Sequence, residues 1–423
     1  MNLNILIAQR IGKKTAAKGK LSRISNIIAS ISVALSIAII LISLAVAGGF
    51  RNEIWKKASG FSGDITLQAP GVEITNHLYP IAPLSCIDKI ETLEEVASVE
   101  PVRYRTGLLK SQNQIQGVLF KGVEGSNKLD FFKECLIEGT LPDYTIKRDS
   151  TGYTLPPSND ILVSKRLSNL LGYGVGDKVM AYFVDDDVTL RRFTICGIFD
   201  AQLDEMDKAL IIADARHISH LNGWKNGEVS GYEISLDNRH RKSAAKYTGK
   251  IDETTYRYST EEDPSVVPQA LSDRYWLLFD WLHLLDINVV IILALMIAVA
   301  GFNMVSGILI ILFERISQIG LLKAIGMRDS NIVKIFLYRA ASIVMAGIIP
   351  GSITAMLFCW LEERFRFIPL DPANYFVDHV PADISLLSVA GIDLAAFLII
   401  MLIMLIPCRM ISRISPATTL KVE

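Results

Sequence analysis

Cysteine is scarce in this chain, with five in 423 residues. Cys86, Cys135 and Cys196 fall in one segment and Cys359 and Cys408 in apolar runs, so a disulfide-stapled scaffold is excluded. At most one bridge could form among the first three, and scattered buried thiols are the expectation. Histidine is nearly as rare, at six. Only His217 and His220 stand close, at i,i+3 and without an acid in ligand spacing, which predicts a solvated helix face and no metal site. The net charge of −1 provides no field for nucleic acid. Nucleotide and hydrolase motifs are missing too. Gly12-Lys13-Lys14-Thr15 lacks the earlier glycine and the preceding strand of a phosphate loop, and no G-x-S-x-G or H-E-x-x-H occurs. Glu205 and Asp207 read as polar loop surface. No catalytic residue, metal or bound cofactor is therefore expected, and the chain does not read as an enzyme.

Apolar sequence is what the chain has in excess. Half the residues are hydrophobic and the mean hydropathy is +0.34. Uncharged runs cover Ile24–Phe50, Ile287–Phe313 and Ala340–Leu361, and a fourth, Ile384–Cys408, is interrupted only by Asp393. Each is long enough for a hydrocarbon core, which needs about 20 residues. The first is too long for a signal-peptide core and has no evident cleavage site, so it reads as a retained anchor. Lysine and arginine cluster before the first run, after the second and after the fourth, which places both termini and the 314–334 loop in the cytoplasm.

The predicted division is an amphipathic helix over 1–23, spans over 24–50, 283–313, 335–361 and 384–410, an external domain over 51–282, a cytoplasmic helix and loop over 314–334, an external loop over 362–383 and a tail over 411–423. The fold class is an α-helical membrane protein with four transmembrane helices and a large α/β domain between the first and second spans. Strands are expected over 63–68, 102–109, 114–123, 208–213 and 228–236, with a strand turning into a helix over 160–171. A hairpin is expected from 178–184 to 192–199 through an acidic turn, and helices over 83–97 and 268–285.

Within the spans, Ser30, Ala34 and Ala38 recur every fourth residue and permit close helix approach, to another span or to another subunit. Gly301 and Asn303 mark a second packing point, the asparagine as a hydrogen-bonding group between helices. Pro350-Gly351 predicts a kink with freed carbonyls met by Ser352 or Thr354. Asp393 is expected near the outer interface.

One short stretch organises the rest. From Glu314 to Met327 a helix would align Ile316, Ile319, Leu322 and Ile325, with Leu321 pairing to Ile325 and with Glu314, Arg315, Gln318 and Lys323 around the stripe. Gly326 is the expected stop. On periodicity alone, a helix lying on lipid is the favoured reading over a helix offered to a partner.

Six ordered segments carry a resemblance. They are VAGGFRNEI (46–54), DILVSKRLSNLLGYGVGDKV (160–179), FTICGIFDA (193–201), AGFNMVSGILIILFERISQIGLLKAIGM (300–327), NYFVDHVPADI (374–384) and RISPATTLKVE at the carboxyl end. Together with the topology they resemble the permease subunits of lipoprotein-releasing ABC transporters, in the superfamily of the macrolide-exporter type and the cell-division permease. The resemblance implies that Glu314–Met327 is a coupling helix bound by a separate ATPase, which holds the ATP. Ile316, Ile319, Gly320, Leu322, Ile325 and Gly326 would then meet a groove, with Glu314, Arg315 and Lys323 at its rim. It further implies a dimer with a second copy or paralogue, lipoprotein cargo taken from the outer leaflet of the bacterial inner membrane, and force transmission without an aqueous path. Some members carry a proline-rich hook that binds a periplasmic chaperone. Here the corresponding hairpin, Tyr182–Arg192, is short and has only an acidic turn. The alternatives are a regulatory module controlling a wall hydrolase and an exporter of peptides or small molecules.

Overall fold

The computed structural model describes residues 20–111, 114–125, 129–148, 154–185, 187–203 and 208–410. The expected amino-terminal amphipathic helix, the carboxyl-terminal tail and the Glu205/Asp207 pair lie essentially outside them. The chain forms two compact units. One comprises the residues up to Arg51 together with Trp281–Leu370 and the residues from His379, and the other comprises Asn52–Asp280 with Asp371–Asp378.

In chain order the elements are α1 (Lys20–Ser62), β1 (Ile65–Gln68), α2 (Ile87–Glu91), β2 (Val96–Lys110), β3 (Ile115–Val123), α3 (Leu129–Cys135), β4 (Leu136–Gly139), β5 (Asp160–Ser164) and α4 (Lys165–Leu171). There follow β6 (Lys178–Val184), β7 (Val188–Phe199), β8 (Leu210–Asp214), α5 (Ala215–Leu221), β9 (Gly231–Leu236), α6 (Ala244–Tyr258), β10 (Val267–Ala270) and α7 (Leu271–Arg274). The chain ends on α8 (Trp276–Glu314), α9 (Ile316–Ala324), α10 (Asp329–Phe365), α11 (Pro372–Tyr375) and α12 (Leu386–Met410).

The helical unit is built on α1, α8, α10 and α12, each long and apolar enough to cross a membrane. With 43 residues, α1 is about 65 Å long at ~1.5 Å per residue, twice a hydrocarbon core of ~30 Å. With 39 residues, α8 reaches ~58 Å by the same rise. Both exceed the expected spans, which covered only their apolar parts. Each of the four helices buries a stripe of fourth-residue spacing: Val33, Ile37 and Leu41 on α1, Ala300, Met304 and Ile308 on α8, Ala340, Val344 and Ile348 on α10, Ala396, Ile400 and Met404 on α12. The opposite faces stay apolar and uncovered, with Phe302 74% and Leu402 66% exposed. Such a surface is stable only against lipid or another protein.

In the α/β unit, β2 is shared between two sheet regions. Val96–Val102 pairs with β9, and Arg103–Lys110 pairs with β3. β3 then runs parallel to β8, and β5 runs parallel to β7. The expected hairpin is β6–β7, in register from Lys178↔Thr194 to Val184↔Val188. One core surrounds Phe61, Phe132 and Phe199, and the other surrounds Phe120, Phe183 and Phe193. α1 stops at Gly63, where φ is +70° and a Cβ would lie 3.0 Å from the Ile234 carbonyl oxygen. Only glycine fits that turn.

Two expected helices are shorter than predicted. The 83–97 helix contracts to α2, because Val96 already pairs with Leu236 in the sheet. The 268–285 helix begins as strand β10, whose register Ile65↔Ala270 adds it to the edge of β1, a position that tolerates Pro268. The helix proper starts at Trp276. α6 went unpredicted although Ala244, Ile251 and Thr255 form its buried face.

Candidate functional site

α9 is held at both ends by its own backbone. At its start the chain turns at Arg315 (φ −110°, ψ 13°), yet Arg315 N–H still donates to the Ile311 carbonyl at 3.1 Å and Ile319 N–H donates to the Arg315 carbonyl at 3.0 Å. At its end Gly326 takes φ +92°. There Gly326 N–H donates to the Lys323 carbonyl at 2.9 Å, and Met327 N–H donates to the Leu322 carbonyl at 3.0 Å. This is the paired closure of a left-handed helix cap. Lys323 Nζ meets Asp329 Oδ1 at 3.0 Å, tying α9 to the first turn of α10. A short helix fixed this way is tied to the last turn of α8 and the first turn of α10.

Burial divides the expected stripe. Ile319 is 2% exposed and belongs to the core of the helical unit, and Gly320 is buried beside it. Ile316 and Leu322 are half-buried. The apolar side chains that reach solvent are Leu321, 55% exposed, and Ile325, 76% exposed. Glu314 is exposed, while Arg315 is half-buried with its guanidinium 3.2 Å from Gln318 Oε1. Lys323 is largely covered, its side chain 10% exposed. The expectation that Ile319 and Gly320 face a partner and that Lys323 forms a free rim is corrected accordingly. Packing against the bundle takes the inner half of the stripe and leaves Leu321 and Ile325 outside.

The span-packing residues meet particular neighbours. Ser30 Oγ donates to the Ile343 carbonyl at 3.2 Å. A Cβ on Gly347 would lie 2.7 Å from the Ser30 carbonyl oxygen, and one on Gly351 would lie 2.5 Å from that of Ala34. α1 and α10 therefore touch backbone to backbone at Ser30/Gly347 and Ala34/Gly351. The Gly347-x-x-x-Gly351 half of this contact was visible in the sequence and was missed. Ala38 is 7% exposed in the same core. Gly301 faces Ile403, and Asn303 Nδ2 donates to Ser32 Oγ. Arg51 and Asp286 form an ion pair between α1 and α8. Around Pro350 the two hydroxyls bond the Ile348 and Pro350 carbonyls, at 3.0 and 2.8 Å. Neither takes the Ala346 carbonyl that Pro350 leaves without its usual donor. Ser352 Oγ also lies 2.9 and 2.7 Å from the two carboxylate oxygens of Asp393, so that acid has an interhelical partner.

In the α/β unit the last turns of α1 are anchored by polar contacts that the sequence did not reveal. Trp55 Nε1 donates to Asp64 Oδ1 at 2.9 Å, and Leu236 N–H donates to Asp64 Oδ2 at 2.8 Å. Burial holds the Asp64 carboxyl above its ordinary pKa against these hydrogen bonds. Lys57 Nζ donates to Gln202 Oε1 and to the Phe376 carbonyl, both at 2.8 Å, and burial lowers its pKa. Both acceptor residues sit at φ +60°, a strained conformation for side chains of this kind. His217 is a correction. Its ring packs edge-on against Phe193 at 5.4 Å and burial lowers its pKa, so it is half-buried and not a solvated face. All five cysteines are free. Among the described residues no group of three or more His, Cys, Asp or Glu could hold a metal.

The FtsX-like permease C-terminal family matches residues 290–416. A lipoprotein-releasing system transmembrane protein LolC from Xylella fastidiosa strain Temecula1 is 24% identical over 450 residues, covering 100% of this chain and 99% of that protein. A lipoprotein-releasing system transmembrane protein LolE from Haemophilus influenzae is 22% identical, covering 92% of each. Among solved structures, the periplasmic region of MacB from Actinobacillus actinomycetemcomitans aligns with 52% of this chain and 94% of its own at a TM-score of 0.34 and 9% identity. The protein is a membrane permease with four apolar helices and an FtsX-like carboxyl-terminal region. Within that class the chain is similar to LolC over its whole length and to LolE over 92% of it.

Proposed function

We propose that the chain is the non-catalytic permease subunit of an ABC system that releases lipoproteins from the outer leaflet of the bacterial inner membrane. The observation that carries this reading is α9, a helix fixed at both ends with Leu321 and Ile325 unpartnered beside Glu314. A separate ATPase, which binds the ATP, docks on that cytoplasmic face, and its closure displaces α8 and α10 together. α1 and α8 are unbroken past their apolar segments, so a displacement of the spans is carried into residues of the α/β unit, which lies in the periplasm. No aqueous path is required, since the force acts through helices. A second permease copy or paralogue completes the assembly. α8 is the least covered of the four, with 11% of its most apolar window buried against 44% for α10. A periplasmic chaperone receives the cargo by a route other than a proline-rich hook, since β6–β7 is a short hairpin.

The test is co-purification of the ATPase with Leu321→Asp and Ile325→Asp variants. Both lose the ATPase at wild-type membrane levels, and retention by both refutes the docking face. Depletion of the permease then redistributes lipoproteins toward the inner membrane. Unchanged sorting with loss of wall-hydrolase activity would identify the regulatory alternative.

A further inference from the structure

A cavity of about 660 Å³ opens in the α/β unit where β1, β10 and the end of α1 meet β2 and β3, within the range of small-molecule sites. Its lining includes the apolar side chains of Phe61, Ile74, Leu119, Leu210, Val267 and Pro268 together with Tyr104, Arg274 and Tyr275. Next to Tyr104 lies a buried carboxylate, Glu233, 1% exposed. Its Oε1 accepts the Tyr104 hydroxyl at 2.8 Å, and its Oε2 accepts Lys121 Nζ at 2.9 Å. Lys121, also 1% exposed, matches the charge of that carboxylate. Arg274 is a second cation. Its guanidinium lies over the rings of Tyr104 at 6.0 Å and Tyr275 at 5.4 Å, and its Nη1 is closed to solvent without a hydrogen bond. Glu73, the acid that lines the cavity, is exposed.

Buried Lys121 and half-buried Arg274 therefore share one buried carboxylate, and Arg274, whose Nη1 is left without an acceptor, lines a cavity that also has apolar side chains in its lining. A buried cationic donor without an acceptor is costly, and an anion entering the cavity removes that cost. A guanidinium presents a planar fork suited to carboxylate or phosphate, while the apolar side chains take a hydrocarbon chain. We propose that this cavity binds a single-chain amphiphile with an anionic head, the head on Arg274 and the chain along Phe61, Leu210 and Val267. The inference rests on the α/β unit alone and is independent of the transport reading.

Photolabelling of the full-length protein in zwitterionic lipid nanodiscs tests it, using C12 probes that carry a chain diazirine and a carboxylate, a phosphate or an alcohol head. The two anionic probes are expected to label peptides within 61–75 and 267–275, and excess dodecanoate to compete. The alcohol should label these peptides at least tenfold less. Arg274→Gln should reduce anionic labelling at least tenfold. Val267→Trp, which fills the chain side and leaves the charges in place, should reduce it as well, so the test survives if one variant misfolds by hydrogen exchange of β2 and β9. Equal labelling by the alcohol, wild-type labelling of a folded Arg274→Gln variant, or labelling confined to the apolar spans overturns the proposal.

Discussion

Replacing Gly351 by alanine should separate α1 from α10, and the geometry sets the size of the effect. The added Cβ would lie 2.5 Å from the Ala34 carbonyl oxygen and 3.0 Å from the Ala34 Cα. Close carbon–oxygen contacts between helices lie at about 3.3–3.6 Å, so the methyl is roughly 1 Å too near. Both contacts are backbone, which no rotamer change can relieve. The helices must part along a seam that also holds Gly347 against Ser30 and Val33. Overpacking of this kind costs about 1–3 kcal/mol, offset by up to ~1 kcal/mol of improved helix propensity.

Gly391 in α12 provides the control, since nothing lies within 4 Å of a Cβ placed there and Gly391→Ala retains only the propensity gain. In SDS titrations of the protein in mixed micelles, followed by tryptophan fluorescence, Gly391→Ala should be neutral or more stable. Gly351→Ala should fall about 1–3 kcal/mol below it, and Ala34→Gly should not rescue it because the clash is with backbone. Gly301 behaves differently. Its Cβ would meet the flexible Ile403 Cδ1 at 2.8 Å, so Ile403→Val should rescue Gly301→Ala. Equal stability of Gly351→Ala and Gly391→Ala, or restoration by Ala34→Gly, would refute the backbone contact.

Ile319→Asp should reduce the yield of folded protein, because it places a charge in the bundle core, whereas Ile325→Asp should leave yield unchanged; membrane levels of the two variants decide. Lys57→Met should release the Phe376 carbonyl at a cost of about 1–3 kcal/mol, seen as faster hydrogen exchange over 371–378. Acid should loosen the contact between His77 and the β6–β7 turn. There His77 Nε2 lies 3.3 Å from Asp185 Oδ1 and Arg105 pairs with the other carboxylate oxygen. Burial, then the Arg105 charge, lowers the His77 pKa, so the open form takes up protons first as pH falls below about 6.5. The Arg105 hydrogen bond lowers the Asp185 pKa, so its contribution is present above about 3.9 and lost as pH falls through the depressed value. Exchange at residues 76–79, corrected for intrinsic rates, should rise from pH 7.5 to 5.5. No change there would rule the contact out as a pH-dependent one.

Much of this protein was legible without coordinates, because its strongest signals are one-dimensional. Apolar run length identifies the four long helices, since a bilayer filters sequence by length and polarity alone. The β6–β7 hairpin and the β5–α4 turn follow from local alternation and punctuation. Gly326 could be assigned as the stop of α9 because the left-handed cap is a local requirement.

Tertiary structure decided whatever depends on which side of an element meets another. Periodicity aligns Ile316, Ile319, Leu322 and Ile325, yet only packing against the bundle buries Ile319 and leaves Ile325 outside. Ser30 and Ala34 were readable as small, but their partners, Gly347 and Gly351, lie more than three hundred residues away in sequence. β10 depends on register with β1, and Pro268 and its neighbours join a sheet edge only once that edge exists. The charge on Arg274 looks ordinary in sequence. Only the fold closes its Nη1 off from solvent without an acceptor, beside Glu233 and Lys121, which two different strands bring together.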